Sequence, residues 1–347
     1  MSIKYWKQIV DSLLSLLAGF FVGGIIIWLA GFDPLLFYQG LLIGAFGNIY
    51  YFMTTLSYAA PLMLTGLSFA IAARASLFNV GAEGQSYLGA LVAVFIGAFL
   101  TLPNLAHQLL IIIFAFILGG ILGGLAGWLK VSRGVNEVVS TIMLNYLSLY
   151  VSNYLFTYWL YDPMRAYKTK NIETTAILPF VMPGTDLSLS LFLAVLVSFF
   201  VYILLWKTPF GYEIRAVGLN PTAASYGGIN VRKSMALSMF ISGGVAALAG
   251  AFEVMGRFHC MDTELTYIKG YGFDGIAVSL IGRNHPIAII PASILFAMLK
   301  TGVQAVQRYT SVGGRTGVPL ELGLAVQGVI IVFVALPSII DMIRRMR

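Results

Sequence analysis

LLIIIFAFILGGILGGLAGWL, residues 109–129, runs for 21 residues without a charge, and its one hydrogen-bonding side chain is the Trp128 indole. At 1.5 Å per residue a helix of that length covers about 30 Å, the thickness of a bilayer's hydrocarbon core. It reads as a transmembrane helix. Similar apolar runs lie on both sides: Ile9–Ala30, Thr54–Ala73, Ser86–Leu102, Val138–Trp159, Leu187–Trp206, Ser234–Met255, Gly275–Ile281, Ile287–Gly302 and Leu320–Leu336. Phe37–Tyr51, with several glycines and tyrosines, reads as an interfacial piece before the second span. The expected fold class is all-α, a polytopic membrane protein of about ten transmembrane helices forming one domain over residues 1–347.

The whole chain agrees with this. Of 347 residues, 59% are apolar and 10% charged, where an ordinary soluble domain carries about 25% charge. A mean hydropathy of +0.88 spread along most of the length excludes a single anchor on a soluble body, and intrinsic disorder would need few apolar residues. Cys260 is the one cysteine, so no internal disulfide forms. No CxxC or HExxH spacing offers a metal cage, and no metal or cofactor is expected.

Lysines and arginines in short loops set orientation. With a cytoplasmic N terminus, ten spans put the larger share of basic residues inside, among them Lys4, Lys7, Arg74, Lys130, Arg133, Arg215 and Arg347. Arg165, Lys168, Lys170, Arg257, Lys269, Lys300, Arg308 and Arg315 fall outside, interspersed with acids such as Asp33, Asp162 and Glu264. Both termini are therefore expected in the cytoplasm. Two loops interrupt the apolar pattern, an outer one at 161–186 and an inner one at 207–233. Within the inner loop Arg215-Ala-Val-Gly218 closes a short helical pattern at glycine. Asn220 then offers a cap, Pro221 takes the first helical position, and Gly227-Gly228 stops the helix. A short surface helix of about two turns is predicted there, against the plainer reading of a loop with an incidental helical turn.

Polar residues inside apolar segments mark a pathway, a packing contact or a partner. In SLFNVGAEGQ (76–85), Asn79 is expected to cap a helix whose first turn holds Glu83, with Gln85 following. This is either a packed helix start or a substrate contact. Thr141, Asn145, Ser148 and Ser152 recur on one face of the fifth span, where they hydrogen-bond a neighbouring helix or line a hydrated route. Asn136 and Glu137 read as that helix's cap and first turn. Gly275–Gly282 covers too few residues to cross a bilayer, so it is a broken or half-length helix with Phe273 and Asp274 at its N-terminal end. Glu253 and Glu321 are placed at the interface.

Six strings, SLFNVGAEGQ (76–85), NEVVSTIMLNYLSLYVSNYL (136–155), GYEIRAVGLNPTAASYGGI (211–229), GGVAALAGAFEVMG (243–256), GYGFDGIAVSLIGRNHP (270–286) and GVPLELGLAVQGVIIVFVA (317–335), resemble the permease of bacterial ATP-binding-cassette importers for nucleosides. The wider group includes simple-sugar and branched-chain amino-acid permeases. The resemblance implies the all-helical importer-permease fold, a second permease subunit in a heterodimer, a separate cytoplasmic ATPase and an extracytoplasmic substrate-binding lipoprotein. The chain itself would be no enzyme; it has no GxxxxGK[ST] phosphate loop. Gly218, Asn220, Pro221, Ala223, Ala224 and Gly228 fall where the family has its coupling helix. For the neutral nucleoside, Asn145, Ser148, Ser152, Phe273 and Asp274 become pathway candidates. A sugar permease and an ion-coupled secondary transporter remain the competing readings.

Overall fold

The structure is a computed structural model, and it describes residues 2–165, 167–262, 270–311 and 317–346. Glu264, Lys269, Arg315 and Arg347, given sides of the membrane above, lie outside the described residues. Helices follow one another almost without interruption: α1 (Ser2–Leu29), α2 (Pro34–Phe46), α3 (Ile49–Arg74), α4 (Ala82–Phe99), α5 (Asn104–Arg133) and α6 (Glu137–Leu155). After the long loop come α7 (Ser190–Lys207), α8 (Pro209–Leu219), α9 (Pro221–Tyr226), α10 (Val231–Glu253), α11 (Tyr271–Ile281), α12 (Pro286–Thr310) and α13 (Leu320–Met346). Single π-turns extend α6 over Phe156–Leu160 and α10 over Val254–Phe258.

Among the described residues six helices are long and apolar enough to cross a membrane, with shorter apolar helices besides. All ten apolar runs fall on helices. Phe37–Tyr51 differs from its reading: Pro34–Phe46 forms a helix of its own, capped by Asp33, and α3 has already begun at Ile49. The chain divides into two compact units, one of residues 1–58 with 294–347 and one of residues 59–293.

In the first unit α1 runs along α13, and Gly19 faces the Ile330 backbone with space for no more than a hydrogen. The Thr55 and Thr301 hydroxyls meet at 2.8 Å, and Thr55 also donates to the Ala45 carbonyl at 3.1 Å.

The second unit is built around α10, which packs on α4 and α5. Its sequence GGVAALAG (243–250) explains this. In lipid there is no hydrophobic drive between helices, so small residues that admit backbone contact decide which surfaces associate. A Cβ at Gly119 of α5 would come within 2.6 Å of the Gly243 carbonyl oxygen, and one at Gly250 would collide with the Ser86 carbonyl of α4. The two faces of α10 thus seat two different helices. On α5 the opposite side exposes Ile113, Phe114, Ile117, Ile121 and Trp128, the surface lipid would cover. About 83% of the α3 span is enclosed by protein against 33% of α5, so α3 is an interior helix and α5 a peripheral one.

The loop over residues 161–186 is folded rather than slack. Glu173 N–H donates to the Gly97 carbonyl at 2.7 Å, Ile172 to His259 at 2.9 Å and Leu178 to Met255 at 2.9 Å. His107 holds Thr175 through Nδ1 at 2.8 Å, and Gln108 donates to the Ile177 carbonyl at 2.7 Å. Glu253 lies near the C-terminal end of α10. It is buried, 3% exposed, and pairs with Arg257 one helical turn on, because an acid that follows the tightly packed GGVAALAG run has its face turned to protein.

Candidate functional site

Between α3 and α4, residues 75–81 leave helical conformation; Ala75, Leu77 and Asn79 are 0–1% exposed, while Ser76 and Phe78 between them are exposed. Irregular backbone at membrane depth persists only when protein satisfies it. Asn79 satisfies one such group and ties three side chains to the segment. Its Oδ1 accepts from Gly81 N–H at 2.9 Å, and its Nδ2 reaches Gln85 Oε1 at 2.9 Å, Ser242 Oγ at 2.8 Å and Ser68 Oγ at 3.2 Å. Gln85 Nε2 donates back to Asn79 Oδ1 at 3.2 Å, so the two amides pair reciprocally. Ser242 lies 11 residues along α10 from Val231, about 16 Å at the helical rise. The polar node therefore sits well along the helix, beyond its basic first turn.

Asn79 is not the helix cap the sequence suggested. Gly81 occupies that position, and no side chain of its own segment serves the helix end. Asn145 does so from α6: its Oδ1 accepts from Gly84 N–H at 2.8 Å and its Nδ2 donates to the Val80 carbonyl at 2.9 Å. The first turn of a helix has four unsatisfied N–H groups, and a neighbouring helix fills one of them here. Glu83 is 9% exposed; Tyr87 donates to its Oε1 at 2.8 Å, while Oε2 has no hydrogen-bond partner among the described residues.

The polar stripe of α6 divides by use. Thr141 donates to the Glu137 carbonyl of its own helix at 2.7 Å, and Asn145 holds α4. Ser148 and Ser152, 2% and 0% exposed, have hydroxyls without partners among the described residues. Asn136 caps α6 as expected, accepting from Val138 N–H at 2.9 Å, and Glu137 pairs with Lys130 at 2.8 Å.

The half-length helix α11 has 11 residues, about 16 Å. Gly272 brings its start against the backbone of Glu83, and a Cβ at Gly275 would press on Thr65 of α3. Phe273 is half exposed, and Asp274 stands in the first turn, where the helix dipole favours a carboxylate. The structure thus brings Glu83, Asn79, Gln85, Asn145 and the start of α11 into one region.

The loop over residues 207–233 forms two helices, a first pattern and then the short capped one, with the first ending one residue later than its reading. α8 continues through Gly218 to Leu219, because Gly218 fits against the Arg74 carbonyl and leaves no space for a side chain. Asn220 ends α8 and caps α9, its Oδ1 accepting from Ala223 N–H at 3.0 Å, with Pro221 in the first position. Gly228 takes the left-handed conformation at φ +82° that terminates α9. Ile214 and Val217 bury one side of α8. Glu213 accepts from Ser234 of α10 at 3.1 Å, and Ser76 donates to the Gly218 carbonyl at 2.6 Å.

Ala224, 6% exposed, packs under α9, and Gly218 likewise faces inward. Asn220, Pro221, Ala223 and Gly228 are exposed. The sequence reading missed Leu219 and Tyr226, whose side chains are 86% and 91% exposed on the same loop. Apolar residues flanking a proline-started two-turn helix were the available signal.

Residues 51–335 match the family described as the permease component of branched-chain amino acid transport systems. The chain belongs to this family. It is a multi-pass membrane protein, and its family is one of transport subunits. It is 37% identical over 339 residues to the guanosine ABC transporter permease protein NupP of Bacillus subtilis, covering 96% of this chain and 94% of that one. The nucleoside ABC transporter permease protein NupB of Lactococcus lactis is 32% identical over 350 residues, 96% of this chain and 93% of that one. At 29% over 351 residues stands the glucose ABC transporter permease protein TsgB13 of Haloferax volcanii, with 96% and 88% covered.

Proposed function

We propose that this permease forms half of a nucleoside translocation pathway in an ATP-driven importer, with the other half supplied by a second, different permease subunit. ATP is hydrolysed by a separate cytoplasmic ATPase, and an extracytoplasmic lipoprotein delivers the nucleoside. Both termini and the α8–α9 loop face the cytoplasm, where the basic residues concentrate.

The observation that carries the reading is the α8–α9 loop. It is fixed from below by Gly218, Ser76 and Glu213 while it presents Leu219 and Tyr226 outward. A rigid base with an exposed apolar tip suits a surface that receives force from a docked protein. The tip meets the ATPase; Asn220, Pro221, Ala223 and Gly228 shape it, and Ala224 and Gly218 seat it. The substrate class follows the two relatives that exceed 30% identity over 96% of this chain, whose names carry guanosine and nucleosides. The amides of Asn79, Gln85 and Asn145 and the Phe273 ring offer hydrogen bonds and an aromatic face to a nucleoside, beside the Glu83 and Asp274 carboxylates.

The test is uptake into proteoliposomes. The complete four-component system with ATP should concentrate labelled guanosine or adenosine, and the chain alone should not. Glucose uptake in place of nucleoside would move the assignment to sugars. Concentrative uptake by the chain alone on a proton or sodium gradient would replace the importer reading with a secondary transporter.

A further inference from the structure

Resting on the importer reading above, we infer that Arg74 is a positioning residue that ties the α8–α9 loop to the half-length helix α11, so that displacement of the loop reaches the polar node through one stiff link. Arg74 ends α3. Its main-chain carbonyl faces Gly218 of α8 at a distance that excludes any side chain. Its guanidinium turns the other way: Nε donates to the Asn284 carbonyl at 3.0 Å, and one terminal nitrogen donates to Asn284 at 2.8 Å and to Arg283 at 3.3 Å. One residue thus touches both elements.

The receiving turn is tightly built. Arg283 and Asn284 both hold positive φ, 53° each, and Asn284 Oδ1 accepts from Ser279 of α11 at 2.9 Å. These carbonyls belong to the turn just past the C-terminal end of α11, a helix end where a cation is favoured. Trp206 of α7 stiffens the link: the Arg74 guanidinium lies 5.0 Å from its ring centroid, Arg215 of α8 lies 5.6 Å away, and the His285 ring lies tilted against it at 4.8 Å. Such cation–π contacts orient a planar guanidinium in a way an ammonium would not reproduce. At its other end α11 abuts Glu83 through Gly272. A push on the loop therefore has a continuous path of backbone contact, guanidinium fork and helix to the polar node.

A purely local role is the competing account: a cation at the end of α3, supplying charge to its dipole. Two measurements separate them. In proteoliposomes holding the complete transporter, nucleoside taken up per ATP hydrolysed should fall at least fivefold in Arg74→Gln. Arg74→Lys keeps the charge without the fork and should still lose at least threefold. Ser76→Ala, which removes the hydroxyl tie to Gly218, should lose about twofold. Full rescue by Arg74→Lys, or an unchanged ratio in it and in Ser76→Ala, overturns the link even where Arg74→Gln does not assemble. The second measurement does not depend on the substrate. Spin labels at Leu219→Cys and Phe273→Cys in a Cys260→Ser background should give one narrow distance distribution, and adding Arg74→Lys should broaden it. A distribution that Arg74→Lys leaves unchanged overturns the link. Absence of nucleoside uptake in the unmodified complex, with narrow-to-broad behaviour of the labels intact, would contradict the transport reading alone.

Discussion

Along α10, Gly243 and Gly250 draw two neighbouring helices into backbone contact, and those contacts lie inside the protein. In α8, Gly218 makes an equally close approach to Arg74, yet a few residues away Leu219 and Tyr226 stand almost wholly in the open. The same device serves two ends. Around α10 it builds a core that is closed on every side. In the loop it anchors one edge of an element whose other edge is left for something else to cover.

If the α10 contacts are the fixed body of this unit, enlarging a residue there should have the largest effect of any single change. Gly250→Val drives a side chain into the Ser86 carbonyl and should cost at least about 3 kcal/mol, read as loss of monodisperse protein in detergent. Wild-type yield and unfolding midpoint would show that the contact yields, and the contrast with the loop would go. Next comes the polar node. Asn79→Leu leaves Gly81 N–H and the Gln85 amide without partners and should lower stability by about 1–3 kcal/mol, measured by thermal unfolding.

The α6 stripe sharpens the comparison within one helix. Asn145→Ala uncaps α4 and should cost about 1–2 kcal/mol, whereas Ser152→Ala removes a hydroxyl that bonds nothing among the described residues and should be neutral. A neutral Ser152→Ala that nevertheless slows uptake would assign that hydroxyl to the substrate route. A loss of stability would assign it to packing.

These residues also mark where sequence pattern carries information and where it does not. Local signals were legible: the apolar runs, the Asn136 cap, the Asn220-Pro221 start of α9 and the shortness of α11 all depend on residues a few positions apart. What depends on distant partners was not. Asn79 reads as a cap because caps are local, yet its bonds include Ser242, 163 positions away. Asn145, which does serve α4, is 61 positions from Gly84. Glu253 reads as interfacial by its place in the run; that it is buried against protein depends on which face α10 turns to its neighbours. Ala224 sits within a recognisable motif, and the motif does not say that its methyl faces inward. Arg74 carries no signal beyond being basic at a helix end.

Acidity probes the loop's anchorage more gently. Burial first, and the Arg74 guanidinium second, hold the His285 imidazole below its ordinary 6.5. The folded state thus favours the neutral ring, so the stability it contributes is fully present above about pH 6.5 and is lost as pH falls. Unfolding midpoints should drop between pH 7 and pH 5, and His285→Gln should reduce that slope. Part of it should persist, because burial also lowers the pKa of His259. A slope unchanged in His285→Gln would place the acid sensitivity elsewhere.

The central claim is that the exposed edge of the α8–α9 loop exists to be covered by the ATPase. Leu219→Ser with Tyr226→Ser changes two side chains that touch little of the chain itself, so the unfolding midpoint of the isolated permease should move by no more than about 0.5 kcal/mol equivalent. Co-purification of the ATPase subunit with this double variant is the direct measurement. The account predicts a permease of wild-type stability that retains little or no ATPase and concentrates no nucleoside. An ATPase bound as in the wild type, with uptake at the wild-type rate, would contradict it.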